Sequence, residues 1–228
     1  MNMIRFAPSS VSRGPNFDLA RIASADGVVV IGSSASGKSH LLRQARASEL
    51  ARSGIIGFPL RLITRAKRLN EDLQENGHVS HAQMDVAKSS GRLAVWWTRD
   101  LGSLTPEVYG FTKPTAGAYP IYSANNALVR TKEPQVERFL ATKVIVGVYA
   151  SDAARRKRLR QRNPDLFDLK PEEVARRLGD SASSILPFCD YVIRNEEASA
   201  VSAPDGFVSL LSTLSGHQAF HLTKLASL

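Results

Sequence analysis

The stretch Gly32-Ser33-Ser34-Ala35-Ser36-Gly37-Lys38-Ser39 constrains this chain more than any other. It reads G-x-x-x-x-G-K-[ST] without a mismatch. It lies between an apolar run, Val28-Val29-Val30-Ile31, and a helix-like stretch from His40 to Arg52. A buried strand, a glycine-rich turn and a helix N-terminus in that order make a phosphate-binding loop. Backbone N–H groups and the positive end of the helix dipole then face phosphate oxygens. The sequence therefore predicts a nucleotide on Gly32, Ser34, Ala35, Ser36, Gly37, Lys38, Ser39 and His40. Lys38 is expected to reach the β- and γ-phosphates, and the Ser39 hydroxyl to hold Mg²⁺. Ala35 stands where glycine is common, so the backbone there is expected to suit a residue with a Cβ.

Length and composition narrow the setting. A chain of 228 residues fits one domain with at most a small appendage. No apolar run approaches the ~20 residues that span a bilayer, and Met1-Asn2-Met3-Ile4-Arg5 does not resemble the start of a secretory signal. The single cysteine, Cys189, allows no disulfide within the chain and fits a reducing cytoplasm. Its neighbours Leu186-Pro187-Phe188 and Tyr191-Val192-Ile193 point to a buried structural thiol. The net charge of +9 suits either a nucleic-acid binder or an enzyme for highly anionic small substrates. The loop favours the second, and no aromatic residues interleave the basic run Arg155–Arg162 as they do in RNA-binding modules.

Apolar periodicity organises the rest. Residues 1–26 read as an irregular leader rich in Ser, Gly and Pro. One helix is expected from Lys38 to Arg52, then a single strand over residues 55–63. Further strands are expected at Leu93–Trp97, Pro120–Tyr122, Val144–Tyr149 and Tyr191–Ile193. A short helix should begin at Met84, with longer ones near 152–162 and 171–185, and a closing helix over 206–214. Strands alternating with helices imply an α/β fold with a mainly parallel sheet covered on both faces.

The charged block Thr64-Arg65-Ala66-Lys67-Arg68-Leu69-Asn70-Glu71 matches the T-R-x-x-R-x-x-E element of guanylate kinases, where two forked guanidiniums clamp a phosphate dianion. A solvated charged loop would have the same spacing. Further on, Ile63-Thr64-Arg65, Glu75-Asn76-Gly77-His78-Val79, Leu93-Ala94-Val95-Trp96-Trp97 and Tyr109-Gly110 occur in this order. With the basic stretch to Arg162, Arg177-Leu178 and Asp190–Asn195, this resembles the ribose 1,5-bisphosphate phosphokinases of the guanylate-kinase-like P-loop group, from Val28 to Glu197.

The resemblance implies a P-loop three-layer sandwich over residues 27–197, with a small acceptor-binding subdomain at about 64–120 and a helical lid at about 152–180. Residues 198–228 would form a helical tail on the core. It also implies phosphoryl transfer from ATP, with Mg²⁺, to a phosphorylated small molecule. Arg65 and Arg68 would bind the acceptor phosphate, while Glu75, His78, Tyr109 and Ser123 line its pocket. Arg162 and Arg177 stand where the group carries lid arginines, so with Lys38 they are the candidate catalytic cations. The other basic residues of the lid are expected in solvent or paired with Glu172, Glu173 and Asp180.

The chain departs from the resemblance in four places, one of them Asn163-Pro164-Asp165-Leu166-Phe167, which stands where the family has a more strongly basic lid loop. Gly77 splits the E-N-H element, residues 98–108 are longer, and Tyr122-Ser123-Ala124-Asn125-Asn126 carries none of the aspartates with which guanylate kinases read a base. A nucleoside monophosphate kinase and a non-catalytic nucleotide-binding or nucleic-acid-associated protein remain as alternatives. A homodimer is compatible with all three.

Overall fold

The computed structural model describes residues 10–67, 74–99, 105–179, 181–196 and 202–225. The first half of the chain forms β1 (Val11–Arg13), α1 (Leu19–Ser24), β2 (Val28–Gly32), α2 (Lys38–Ala47), α3 (Glu49–Arg52), β3 (Ile56–Gly57), β4 (Arg61–Ile63), β5 (Asn76–His78), α4 (His81–Ser89), β6 (Leu93–Arg99) and β7 (Glu107–Thr112). The second half forms β8 (Tyr119–Ser123), α5 (Pro134–Ala141), β9 (Val144–Tyr149), α6 (Asp152–Arg162), α7 (Pro164–Leu169), α8 (Pro171–Gly179), β10 (Tyr191–Arg194) and α9 (Ser202–Leu225).

Two sheets result. The larger runs β1-β10-β9-β2-β8-β3 and is parallel except for β1, which pairs antiparallel with β10. The smaller runs β5-β4-β7-β6, with β4 and β5 parallel and the other pairs antiparallel. The fold is thus α/β, with a mainly parallel central sheet and a small second one. Both faces of the central strand are covered, which is why Val28 to Ile31 alternate nothing and are all fully buried.

One face packs Leu41, Leu42 and Ala45 of α2, Ile22 of α1 and Phe207, Leu210, Leu211 and Leu214 of α9 against Val28, Val30, Val144 and Val146. Each Val, Leu, Ile or Phe side chain among them stabilises the fold by roughly 1.5–3 kcal/mol relative to exposure. The opposite face joins Val29, Ile31 and Ile145 to Val136 and Phe139 of α5 and to Ile63, Val95, Trp97, Tyr109 and Phe111 of the small sheet. The small sheet is therefore bound to the body by its own apolar face.

Several elements differ from the sequence expectations, each for a local reason. The leader is not irregular over its described part: β1 closes the edge of β10, and Asp18 caps α1 by accepting from the N–H groups of Ala20 and Arg21. Three residues make a strand there only because β10 offers a free ladder. The helix expected to run to Arg52 breaks at Ser48, which is extended and turns its hydroxyl onto the Ala45 carbonyl at 2.6 Å. The expected strand over 55–63 splits at Pro59, which has no N–H to donate. Its halves enter different sheets, β3 beside β8 and β4 between β5 and β7. The second lid helix stops at Gly179, and Ala182–Phe188 continue as a 3-10 helix with Pro187 inside it. The helix expected over 206–214 spans Ser202–Leu225.

Candidate active site

β2 ends between β8 and β9, so the loop after it opens at the carboxyl edge of the parallel strands, where such sheets receive ligands. Two residues of the loop have positive φ, Gly37 at 94° and Ala35 at 62°. The ordinary backbone expected at Ala35 is thus not what the fold uses, and an alanine in this left-handed region costs about 1–2 kcal/mol. Gly37 has a second reason to lack a side chain: a Cβ would collide with the Asn195 amide. The loop is held from outside. Arg155 Nε donates to the Ser34 carbonyl at 2.9 Å. Arg158 Nη1 and Asn195 Nδ2 both donate to the Ser36 carbonyl, at 3.2 and 2.8 Å.

Lys38 begins α2 and turns its ammonium to the end of β8. Its Nζ donates to Ser123 Oγ at 2.7 Å, and Ser123 passes its own proton toward Glu75 Oε2 at 3.0 Å. Glu75 lies 3.9 Å from Lys38 and 3.6 Å from Arg46 Nη1. Arg61, also buried, donates twice to Asn76 Oδ1 and once to the Ser123 carbonyl. Three cations therefore converge on one buried carboxylate. Burial pushes the Lys38 ammonium down to about 8, and the attraction of Glu75 only partly opposes this because Arg61 and Arg46 repel it. For Glu75, burial works upward, but Lys38, Arg61, the Ser123 hydrogen bond and Arg46 together hold the carboxyl below its usual range. Glu75 and Ser123, expected to line an acceptor pocket, lie against the Lys38 ammonium.

The small sheet sets Ile63 opposite His78 on one side and Tyr109 on the other. In-register neighbours share a face, so His78, Tyr109 and Trp97 project alike. The Tyr109 ring is buried and stacks on Trp97 with centroids 5.5 Å apart, and its hydroxyl donates to Glu107. Burial first, then Glu107, raises the Tyr109 phenol above its usual pKa. His78 Nδ1 lies 3.1 Å from the Arg65 carbonyl, and Arg65 Nη1 donates to the Ala66 carbonyl at 2.9 Å. Arg68 lies outside the described residues.

A cleft of about 200 Å³ separates the loop from α6, lined by Ser34, Ala35, Gly37, Arg158, Leu159 and Arg162. Arg162 is exposed on its wall, and His40 is exposed on the first turn of α2. Arg177 is engaged elsewhere, its Nε donating to Glu173 at 2.7 Å. Glu173 is held down to about 2, first by its hydrogen bond from Arg176. The same hydrogen bond raises the Arg176 guanidinium above its usual pKa. The expectation that the remaining lid cations lie in solvent or pair with Glu172, Glu173 and Asp180 fails at Arg155, which is fully buried and pairs with Asp152.

No protein-family model matches the chain. It is 30% identical over 170 residues to ribose 1,5-bisphosphate phosphokinase PhnN of Pseudofrankia inefficax, covering 74% of this chain and 82% of that one. The chain belongs to the ribose 1,5-bisphosphate phosphokinase family. The phosphokinase of the same name from Methylobacterium radiotolerans is 38% identical over 84 residues, 36% of this chain and 46% of its own. Among solved structures, guanylate kinase from Anaplasma phagocytophilum is similar over 83% of this chain and 87% of that one, with a TM-score of 0.48 and 16% identity. Among the described residues no helix is long and apolar enough to cross a membrane.

As a member of the phosphokinase family the chain is a P-loop phosphotransferase, and its loop fits the substrates of one. Positive φ at Ala35 and Gly37, alternating with Ser36 between them, gives a concave nest of N–H groups of the kind that takes phosphate oxygens. The Ser36 hydroxyl is buried there without a hydrogen-bond partner. Ser39 supplies a hard hydroxyl oxygen in the first helical turn, the type of donor that Mg²⁺ accepts beside nucleotide phosphates. Sequence reasoning did not anticipate Arg46, Arg61, Arg155 or the grip of Arg158 and Asn195 on the loop. Only the charge of the arginines was visible; most of their partners are backbone carbonyls or side chains far along the chain, which carry no local sequence signature.

Proposed function

We propose that the protein is an ATP-dependent kinase that transfers the γ-phosphoryl group to a phosphorylated sugar of the ribose bisphosphate type. The observation that carries this reading is the charge at the base of the loop. Among the described residues, Lys38, Arg46 and Arg61 gather around the carboxylate of Glu75. A gathering of cations at the base of the loop suits two substrates that each bring phosphate. Both curated relatives are named for a ribose 1,5-bisphosphate acceptor.

In this reading residues 32–39 hold the donor phosphates by backbone N–H groups and Lys38. Held by Ser39, Mg²⁺ would neutralise charge on the nucleotide phosphates. Arg162, on the wall of the cleft, adds positive charge near the transferred group. Arg177 can do so only by leaving Glu173. Arg65, with Arg68, anchors the acceptor phosphate, and His78 and Tyr109 line its pocket. Phosphoryl transfer of this type needs positioning and electrostatic stabilisation more than covalent catalysis.

ADP release measured with ribose 1,5-bisphosphate, ribose 5-phosphate, GMP and no acceptor tests the reading. Ribose 1,5-bisphosphate should stimulate release at least about 100-fold over the blank, a modest part of usual enzymatic accelerations. Lys38→Ala should abolish the stimulation. GMP as the preferred acceptor would overturn the sugar assignment. Salt-sensitive RNA binding with no stimulated turnover would overturn the kinase assignment.

A further inference from the structure

Arg155 is fully buried, yet the charge that faces it, Asp152, is largely in solvent. Its guanidinium is consumed by three fixed acceptors. Nε donates to the Ser34 carbonyl at 2.9 Å, Nη1 to Asp152 at 2.7 Å, and Nη2 to the carbonyl of Arg177 at 2.9 Å. One side chain on α6 thus grips the phosphate loop with one edge and the last turns of α8 with another.

The grip on Ser34 has a definite consequence. A peptide unit is planar and trans, so its carbonyl and its N–H point in opposite directions. Holding the Ser34 oxygen toward Arg155 turns the Ala35 N–H to the other side. The Ser36 oxygen, held by Arg158 and Asn195, does the same for the Gly37 N–H. The residues so turned, Ala35 and Gly37, are the two loop positions with positive φ. The clamp therefore maintains a backbone shape that alanine resists. Arginine suits the task because its planar fork can satisfy separate acceptors at fixed angles, whereas a lysine ammonium is a point donor.

We propose that Arg155 is a positioning residue: it presets the phosphate loop for nucleotide and ties that shape to α8 of the lid, without itself touching substrate. The proposal rests on the nucleotide reading of residues 32–39. Arg155→Leu keeps comparable bulk and removes all three donors, while Arg155→Lys keeps the charge and most of the stem. The test is calorimetric MgADP binding to both variants and to Lys38→Ala, with hydrogen exchange resolved at residues 33–37 and 171–179.

Wild type should bind MgADP, and Arg155→Leu should bind at least about tenfold more weakly, as expected for losing hydrogen bonds from a charged donor. Arg155→Lys should recover part of that loss. Exchange should rise together in the loop and α8, with the strands β2 and β9 unchanged, a pattern that general destabilisation would not produce. Wild-type affinity in a folded Arg155→Leu protein would overturn the proposal. If Arg155→Leu does not fold, wild-type affinity and exchange in Arg155→Lys would overturn it equally. Failure of the wild type to bind MgADP would instead overturn the nucleotide reading.

Discussion

Replacing Lys38 by methionine should make the ligand-free protein more stable while destroying its activity. The side chain keeps its length and loses its charge, so the change isolates what the ammonium costs. Lys38 titrates near 8 in the fold against 10.5 when exposed, so the fold opposes its charged form by roughly 3 kcal/mol. Burial is the first cause, and the neighbouring Arg61 and Arg46 add to it. Against that gain stands the lost hydrogen bond to Ser123, worth about 1–2 kcal/mol. The expected result is a stabilisation of roughly 1–2 kcal/mol, or about 2–8 °C in Tm for a domain of this size.

Glu75→Gln should do the opposite. It keeps the shape and the Ser123 contact but leaves Lys38, Arg46 and Arg61 without their anion, at about 3–5 kcal/mol. The pH dependence fixes the sign independently. Between about 8 and 10.5 the unfolded chain holds the Lys38 proton that the folded chain has released, so wild-type stability gains with pH across that window. The gap to Lys38→Met should close there. Urea titrations at pH 7 and pH 9.5 with unchanged m-values measure all of this. A Lys38→Met protein less stable than wild type at pH 7, or a Glu75→Gln protein equal to it, would refute the electrostatic account of this cluster.

Ala35→Gly removes the strain of a left-handed alanine and should raise stability by about 1 kcal/mol, seen as a Tm higher by roughly 2–4 °C. MgADP affinity should be retained if the clamp on the Ser34 and Ser36 carbonyls shapes the loop. Cys189 is buried, donates to the Ile185 carbonyl and has its thiol pushed up to about 12 by burial. A disulfide reagent at pH 8 should therefore leave it unmodified in the native protein and react at once in 6 M guanidinium. Fast native reaction would mean the 3-10 helix opens.

The strands around the site were legible because apolar runs such as Val28–Ile31 and Val144–Val148 have few other uses. The loop was legible because its geometry demands glycine and lysine at set places. β5 and β7 were hidden, and β4 was visible only as the end of one longer strand. Arg61–Ile63 and Asn76–His78 are three-residue strands whose ladders are completed only by distant partners, and Tyr109-Gly110 looks like a turn until β6 is beside it. The lid was half legible. Its basic run was evident, but which arginine turns inward depends on where Ser34, Ser36, Asn195 and the end of α8 come to lie.

The sequence by itself determined a donor: strand, loop, Lys38 and Ser39 are contiguous, so local geometry suffices to build a phosphate nest. The family resemblance over Val28–Glu197 was also carried by short motifs in order. Tertiary structure alone decided what the charges do. It set Glu75 beside Lys38, engaged Arg177 with Glu173, and buried Arg155 against two backbone carbonyls. The physical reason is that electrostatic roles depend on burial and on partners far along the chain. Lys38 and Ser123 are 85 residues apart, and Arg155 and Ser34 are 121 apart. No local pattern encodes such a meeting; only the packing of α6, β8 and the small sheet around β2 brings it about.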